Sequence, residues 1–243
     1  MTHPSIQALD QRWYANVRDN WDDELLREWV LRRLTPQSSI LDLGAGAGIV
    51  TQMNFRDHAA RVCGIDLDPR VAENPYLHEG KVADGQCIPY DGELFDVVVS
   101  DNVLEHLDEP LKVLNEVARV LKPDGYFLAK TPNRWHYMPT IARLTPHAFH
   151  RFYNRLRGRA AVDTFPTRYR ANSIGQMRKL AAASGFEITR LELVESRPEY
   201  LRMNRLTYWM GHLYERFVNS SPRWKSLRIL LVIEMRKATV RSP

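Results

Sequence analysis

The stretch Ile40-Leu41-Asp42-Leu43-Gly44-Ala45-Gly46-Ala47-Gly48-Ile49-Val50 constrains the fold more than any other part of this 243-residue chain. An apolar run opening onto alternating glycines reads as a buried strand followed by a tight turn, and Ile49 to Met53 then read as the start of a helix. A turn so poor in side chains lets the backbone approach a flat polar ligand; a bare strand-helix turn with no ligand is the plain alternative. A dinucleotide fingerprint of the Gly-x-Gly-x-x-Gly type starting at Gly44 requires glycine at position 49, where Ile49 stands. This argues against a pyrophosphate ligand and against an NAD-dependent oxidoreductase. A second apolar run, Arg61 to Asp68, carries Asp66 about 20 residues beyond the glycines, the offset at which a carboxylate accepts ribose hydroxyls. Together the two runs imply a ribose-bearing cofactor.

These segments, with Ala83-Asp84-Gly85, Phe95-Asp96-Val97-Val98-Val99-Ser100-Asp101 and Val120-Leu121-Lys122-Pro123-Asp124-Gly125, resemble the successive motifs of the class I S-adenosylmethionine-dependent methyltransferases. The branch they resemble is the small-molecule (UbiE/UbiG-like, methyltransferase type 11) one. The resemblance is dense over residues 38–133 and departs slightly at Asp124, where the family often has a second glycine. It implies an α/β fold: a Rossmann-like, seven-stranded, mostly parallel sheet with helices on both faces, an antiparallel last strand and helical insertions.

The resemblance also implies S-adenosyl-L-methionine as cofactor. Asp42 would support the glycine loop and the cofactor's amino-acid end, with Gly44, Ala45 and Gly46 lining its nucleoside and methionine portions. Asp66 would bind the ribose hydroxyls with Leu67 beside it, and Asp84 with Gly85 would meet the adenine amino group. Ser100 and Asn102 follow the fourth strand, where open α/β sheets place their ligand crevice, and are candidates for cofactor or acceptor contact. His106 resembles a histidine common in this branch and is the candidate proton acceptor, since imidazole titrates near neutrality. Asn133, His136 and Tyr137 leave the fifth strand at the same edge and are the candidate acceptor wall. His147-x-x-His150 lacks neighbouring Asp or Glu ligands, so no metal site is expected.

The domain organisation expected is one methyltransferase domain over 1–243. It comprises a helical cap at 1–36, a cofactor-binding core at 37–133, insertions at 134–172 and 198–226, and C-terminal helix and strands at 173–197 and 227–243. A leading helix is expected over 10–34, with Trp13, Val17, Trp21, Leu25, Leu26, Trp29 and Val30 on its apolar face. A helix over about 110–122 is expected to bury Leu111, Leu114, Ala118 and Leu121; another opens at Ser173 with a capping-box pattern and ends near Gly185. Phe186–Val194 and Ile229–Met235 read as strands. Cys63 and Cys87 show no metal-type spacing and no disulfide framework.

Charge is distributed unevenly. Residues 1–133 carry 22 acidic against 13 basic side chains, and residues 134–243 carry 21 basic against 7 acidic. A basic segment of this kind fits an anionic acceptor, a phosphate-rich surface or simply a solvated face. Two basic amphipathic helices stand out, one over 145–159 and one carrying Leu206, Trp209, Met210, Leu213 and Phe217 between Arg202, Arg205 and Arg216. Each reads either as a lid packed on its own domain or as a helix lying at a membrane surface. No apolar run is long enough to span a bilayer and the N-terminus does not read as a signal peptide, so a cytoplasmic protein, in contact with the inner membrane surface, is expected. The function expected is methyl transfer to a small-molecule, glycan or lipid-linked acceptor at oxygen. Methylation of a quinone-type ring is the alternative, and a non-catalytic cofactor-binding scaffold the alternative of another class. Nucleic acid is the weaker partner, because no Asn-Pro-Pro-Tyr-like motif for base-amine transfer is present.

Overall fold

The computed structural model describes residues 4–144 and 166–238. The basic helix expected over 145–159, with His147 and His150, lies outside the described residues. The described chain divides into two compact units. The larger draws on Asp22–Thr131, Thr167–Glu192 and the chain from Leu231; the smaller draws on the chain up to Trp21, the segment from Pro132 and Leu193–Leu230.

Seven strands form one sheet: β1 (Ser39–Leu43), β2 (Arg61–Asp66), β3 (Glu79–Val82), β4 (Phe95–Asp101), β5 (Leu121–Pro132), β6 (Phe186–Val194) and β7 (Leu230–Lys237), in the order β3-β2-β1-β4-β5-β7-β6. The β1–β2, β1–β4, β2–β3 and β4–β5 pairs are parallel. β7 runs the other way: the Asn133 amide just past β5 donates to Ile229 O just before β7, and the Ala238 amide just past β7 donates to Gly185 O just before β6. Ile40, Leu41, Val97, Val98, Phe127 and Leu128 are wholly buried. Strands covered on both faces tolerate no polar alternation, which explains why they read as continuous apolar runs.

The helices depart from expectation in instructive ways. The leading helix is two helices, α1 (Pro4–Trp13) and α2 (Trp21–Leu31). The break at 14–20 holds Asn16, Asp19 and Asn20, which favour turns over helix interiors. There the Arg197 guanidinium donates to Asp19 Oδ1 at 2.6 Å and to Val17 O at 3.4 Å. The helix expected after Gly48 is a single 3₁₀ turn, Thr51–Met53. Arg27 of α2 donates to the carbonyls of Gln52 and Asn54, both at 2.6 Å, and so consumes acceptors that a longer helix would have used. Helix α3 (Pro110–Val120) forms as expected but is rotated: it buries Val113, Leu114, Val117 and Val120, while Leu111 in its first turn is exposed. After α4 (Tyr137–Leu144) comes α5 (Ile174–Ala183), where Ser173 Oγ accepts from the Gln176 amide and Met177 and Ala181 face inward. The chain then turns at Gly185, whose φ of +75° glycine adopts without strain.

Helix α6 (Arg205–Asn219) belongs to the smaller unit and turns outward the stripe that the lid reading would bury. Its capping box is regular, with Asn204 accepting from the Thr207 amide and Thr207 answering at the Asn204 amide. Yet Leu206, Trp209, Met210, Leu213 and Phe217 are exposed, and the buried face carries Tyr208, Gly211, His212, Glu215 and Val218. The lid reading of this stripe therefore fails for α6. Its polar face can be buried because its groups are paired. Tyr14 OH donates to Glu215 Oε2 at 2.9 Å and lies 2.7 Å from His212 Nδ1, and Tyr208 OH donates to Asp10 Oδ1 at 3.0 Å. Gly211 permits the close approach, since a Cβ there would come within 2.4 Å of Pro198 Cβ.

In the larger unit Glu234 of β7 anchors the sheet's far side. It accepts two bonds from Arg33 at 3.0 and 2.8 Å and one from Thr189 Oγ1 at 2.6 Å. Burial works against the Glu234 carboxylate, but these donors outweigh it and hold its pKa below the ordinary glutamate value. Glu234→Gln is therefore expected to lower stability by about 1–2 kcal/mol near neutral pH. Because the native pKa is depressed, the difference should be complete above the unfolded-state pKa and vanish as pH falls through the native one, as thermal melts of both proteins across an acid series would measure.

Candidate active site

Three strands of the larger unit carry a carboxylate at or next to their last residue: Asp42 in β1, Asp66 in β2 and Asp101 in β4. Between β1 and β2 runs the glycine turn. Gly44 takes a φ of +85°, and a Cβ there would lie 2.2 Å from Val103 Cγ2, so no other residue fits. The Gly44 and Ala45 amides both donate to Ile65 O, at 2.8 and 3.1 Å, folding the turn back onto β2. At Gly46 the amide donates to Asp66 Oδ2 at 2.8 Å, and a Cβ would meet nothing nearer than that same oxygen at 3.8 Å. The backbone there faces open space. Asn74 secures the turn from outside, donating to Ala45 O and Gly46 O at 2.9 and 3.2 Å.

The electrostatics favour a cation. Asp42 is buried, its Oδ1 has no hydrogen-bond partner, and burial raises its pKa well above the usual carboxylate range, with the nearby Asp101 and Asp66 charges adding to the effect. Burial likewise pushes Asp101 up to about 6 against the pull of Lys130. Asp66 keeps unused acceptor capacity, since Oδ1 takes only the Asp68 amide at 2.8 Å and each oxygen offers two lone pairs. A ligand bearing positive charge would relieve all three carboxylates at once. Exposed Ile49 and Leu67 flank the same turn and supply apolar surface for a flat ring.

Lys130, near the end of β5, is fully buried and was not anticipated from the sequence. Burial opposes its charge, but Asp101, Asp22 and Asp23 outweigh that and raise its pKa. Asp22 and Asp23 occupy the first turn of α2, so Lys130 ties that helix end to the carboxyl edge of the sheet. A lone lysine directly after the apolar run Tyr126-Phe127-Leu128-Ala129 is the available signal, because a buried ammonium requires acidic partners.

The segment after β4 carries the remaining candidates. Ser100 is buried with its Oγ unpaired, and Asn102, at a φ of +53°, donates through Nδ2 to Asp101 Oδ1 at 2.8 Å. His106 is partly exposed, and its Nε2 lies 3.9 Å from Oε1 of the buried Glu105, within ion-pairing range but beyond a hydrogen bond. Burial raises the Glu105 pKa against the opposing pull of His106. Glu105 is itself fixed: its Oε2 accepts from Thr131 Oγ1 at 2.8 Å, and that hydroxyl accepts from Asn172 Nδ2 at 2.6 Å. Asp84 is exposed just past β3, accepting from the Gln86 amide, while Gly85 lies against Leu43 and Val113.

Asn133, His136 and Tyr137 belong to the smaller unit. Asn133 is scaffold in its contacts: its Nδ2 donates to Ser226 O and Arg228 O, both at 2.7 Å, and its Oδ1 accepts from the Trp135 amide. His136 is buried and its pKa is lowered to about 3 by that burial, so the imidazole is neutral. Its Nδ1 accepts from the Met138 amide and its Nε2 lies 3.5 Å from Glu195, a carboxyl that burial pushes up to about 8. Tyr137 packs on the His136 ring at 4.0 Å and edge-on to Tyr214 at 4.7 Å.

The strand order, the glycine turn after β1 and the carboxylate closing β2 define a nucleoside-binding α/β domain of the class I methyltransferase type. Residues 41–129 match the family described as "Methyltransferase domain", and over that stretch the chain is similar to class I S-adenosylmethionine-dependent methyltransferases of the small-molecule, UbiE/UbiG-like type. Over 105 residues it is 33% identical to the ubiquinone biosynthesis O-methyltransferase of Neisseria meningitidis, covering 39% of this chain and 44% of that one. Over 103 residues it is 34% identical to the protein of the same name from Cereibacter sphaeroides, covering 39% and 41%. The matched stretch thus spans less than half the length of these curated relatives. The geranyl diphosphate C-methyltransferase of Streptomyces coelicolor, solved with S-adenosyl-L-homocysteine, superposes with a TM-score of 0.56 at 16% identity over 96% of this chain and 82% of that one. The [4+2]-cyclase SpnF superposes with a TM-score of 0.56 at 20% identity over 89% and 82%. At these identities the likeness is one of fold, and the fold serves more than one chemistry. The residues present fit S-adenosylmethionine: an open glycine turn, an unpaired buried carboxylate oxygen and an acidic field for its sulfonium and ammonium groups.

Gly44→Ala is expected to weaken S-adenosylmethionine binding about fivefold or more by calorimetry, since backbone strain of about 1–3 kcal/mol falls on the turn. Adding Val103→Ala removes the clash but not the strain, so it should restore only part of the affinity. A cationic ligand favours ionised Asp101, so affinity should rise as pH rises through about 6 and level off above. S-adenosylhomocysteine, whose sulfur is neutral, should show a shallower rise, and equal slopes for the two ligands would remove the acidic field from the account.

Proposed function

We propose that the protein transfers a methyl group from S-adenosylmethionine to a hydroxyl oxygen on a hydrophobic acceptor, a quinone-type ring or a lipid-linked precursor. The observation that carries the reading is the partly exposed His106 backed by the buried Glu105 directly after β4, beside the carboxylates of the cofactor site. Oxygen as the methylated atom is supported by the relatives named ubiquinone biosynthesis O-methyltransferase.

The bound sulfonium supplies an already activated methyl group. The chain's own work is then to hold the donor, align the acceptor oxygen and accept its proton. Asp42 and Asp101 face the positive end, Asp66 takes the ribose hydroxyls, and the Gly44–Gly46 backbone shapes the contact. With Nε2 turned toward Glu105, His106 takes the hydroxyl proton at Nδ1. The Glu105 carboxylate then steadies the imidazolium, and its bond from Thr131 keeps it from swinging away. Glu105 is a positioning residue in this scheme and His106 the catalytic one.

His106→Ala should lower kcat about 10²–10⁴-fold while calorimetry finds cofactor affinity unchanged. Glu105→Gln should give a smaller loss and displace the acidic limb of the pH–rate profile. Radiolabelled S-adenosylmethionine incubated with the protein and a lipid extract should place label in the organic phase. Label appearing only in water-soluble glycan or RNA would reject the hydrophobic acceptor, and undiminished turnover by His106→Ala would reject the base.

A further inference from the structure

Helix α6 turns outward the face that a globular helix ordinarily hides. Leu206, Trp209, Met210, Leu213 and Phe217 share that face, with Leu206 exposed to 72% and Leu213 to 66%. The stripe does not end with the helix. Trp13 meets Trp209 edge-on with ring centroids 6.0 Å apart, Trp224 tilts against Phe217 at 4.7 Å, and both tryptophans are themselves exposed. A contiguous apolar patch rimmed by polar residues marks an interaction surface.

The rim has one sign. Arg205 and Arg216 flank the stripe on α6, Arg223 and Lys225 follow it, and all four are exposed; Arg12 lies over the Trp13 ring. Among the described residues none of those four enters an ion pair. The one acid between Met203 and Leu227 is Glu215, which points inward and is bonded to Tyr14 and Asn219. The outward face thus offers apolar area, three tryptophans and positive charge with no carboxylate to answer it.

We propose that this face docks the protein on an anionic lipid bilayer. α6 would lie in the plane of the interface with Leu206, Met210 and Leu213 at the acyl boundary, and Arg205, Arg216, Arg223 and Lys225 at lipid phosphates. Tryptophan suits the boundary layer, because its ring is apolar and its N–H finds a wet partner there. In-plane attachment agrees with the helices' lengths: none among the described residues is long and apolar enough to cross a membrane. A second copy is the poorer occupant. An isologous pairing of this face would set its arginines against one another with no acid between them. The proposal is independent of which acceptor is methylated.

The test is co-sedimentation of the full chain with vesicles of phosphatidylcholine mixed with phosphatidylglycerol, against vesicles of phosphatidylcholine alone. Binding is expected to the anionic vesicles, to weaken with added salt, and to bring quenching of tryptophan emission by brominated lipid. Met210→Glu with Leu213→Glu should weaken binding at least about tenfold, since two apolar side chains leave the interface. Arg205→Gln with Arg216→Gln should weaken it about fivefold per charge removed, on anionic vesicles only. All four positions are exposed, and unchanged thermal melts and S-adenosylmethionine calorimetry would show that the variants fold. Absence of binding to either vesicle overturns the proposal. So does a concentration-dependent dimer in analytical ultracentrifugation that Met210→Glu with Leu213→Glu dissociates, which would assign the face to a second copy.

Discussion

A lysine ammonium with no exposure is unstable unless anions surround it, and Lys130 sets much of the arrangement around it. Asp22 and Asp23 answer it from α2 and Asp101 from β4, so one buried charge fixes a helix end and two strand ends together. Such a cluster contributes little net stability, because desolvation offsets most of the attraction; its use lies in position. It holds Asp101 beside the end of β1, where its charge reaches Asp42. The surplus negative charge left after Lys130 is satisfied is what the cofactor's positive groups can meet.

The strands were legible because the sheet is covered on both faces. Ile40-Leu41, Val97-Val98-Val99 and Phe127-Leu128 admit no second reading when every side chain is buried. Helix existence was nearly as clear, but helix faces were not. In α3 both candidate stripes are apolar, and the choice of Val113, Val117 and Val120 over Leu111 depends on what lies opposite. In α6 the periodicity names the apolar face correctly but leaves its direction open between a packed lid and an outward face. The partners that bury the other face, Tyr14 and Asp10, lie nearly 200 residues away in sequence. No local pattern could announce that Tyr208, His212 and Glu215 would find donors and acceptors there.

The site shows the same division. Asp42, Gly44, Ala45, Gly46 and Asp66 meet at one edge because the β1–β2 register dictates it, with Asp42 opposite Gly64 and Leu43 opposite Ile65. Spacing along the chain was therefore a sufficient guide. Asn133 has its amide consumed by the carbonyls of Ser226 and Arg228, which a sequence cannot reveal because they arrive from the chain's far end. Glu105 carries no sequence signal of its own beside the more conspicuous His106. Its pairing with Thr131 and Asn172 depends on three separated segments converging.

The uneven charge of the chain becomes physically intelligible once it is divided by unit. The acidic excess contributes to the strand ends of the larger unit, where carboxylates without enough donors attract a cation. Part of the basic excess surrounds an outward apolar stripe of the smaller unit, where the same imbalance has the opposite sign and a different consequence. A cation site needs carboxylates drawn out of water, so Asp42 and Asp101 are buried and their pKa values rise. The lipid surface proposed for α6 would need the reverse, charges left in water where they act over a Debye length and lose little by desolvation. Arg205, Arg216, Arg223 and Lys225 meet that second condition by being exposed. Buried acids and exposed bases thus follow one rule: a charge drawn out of water needs an enclosed partner, whereas a charge left in water needs none and stays available to an extended one.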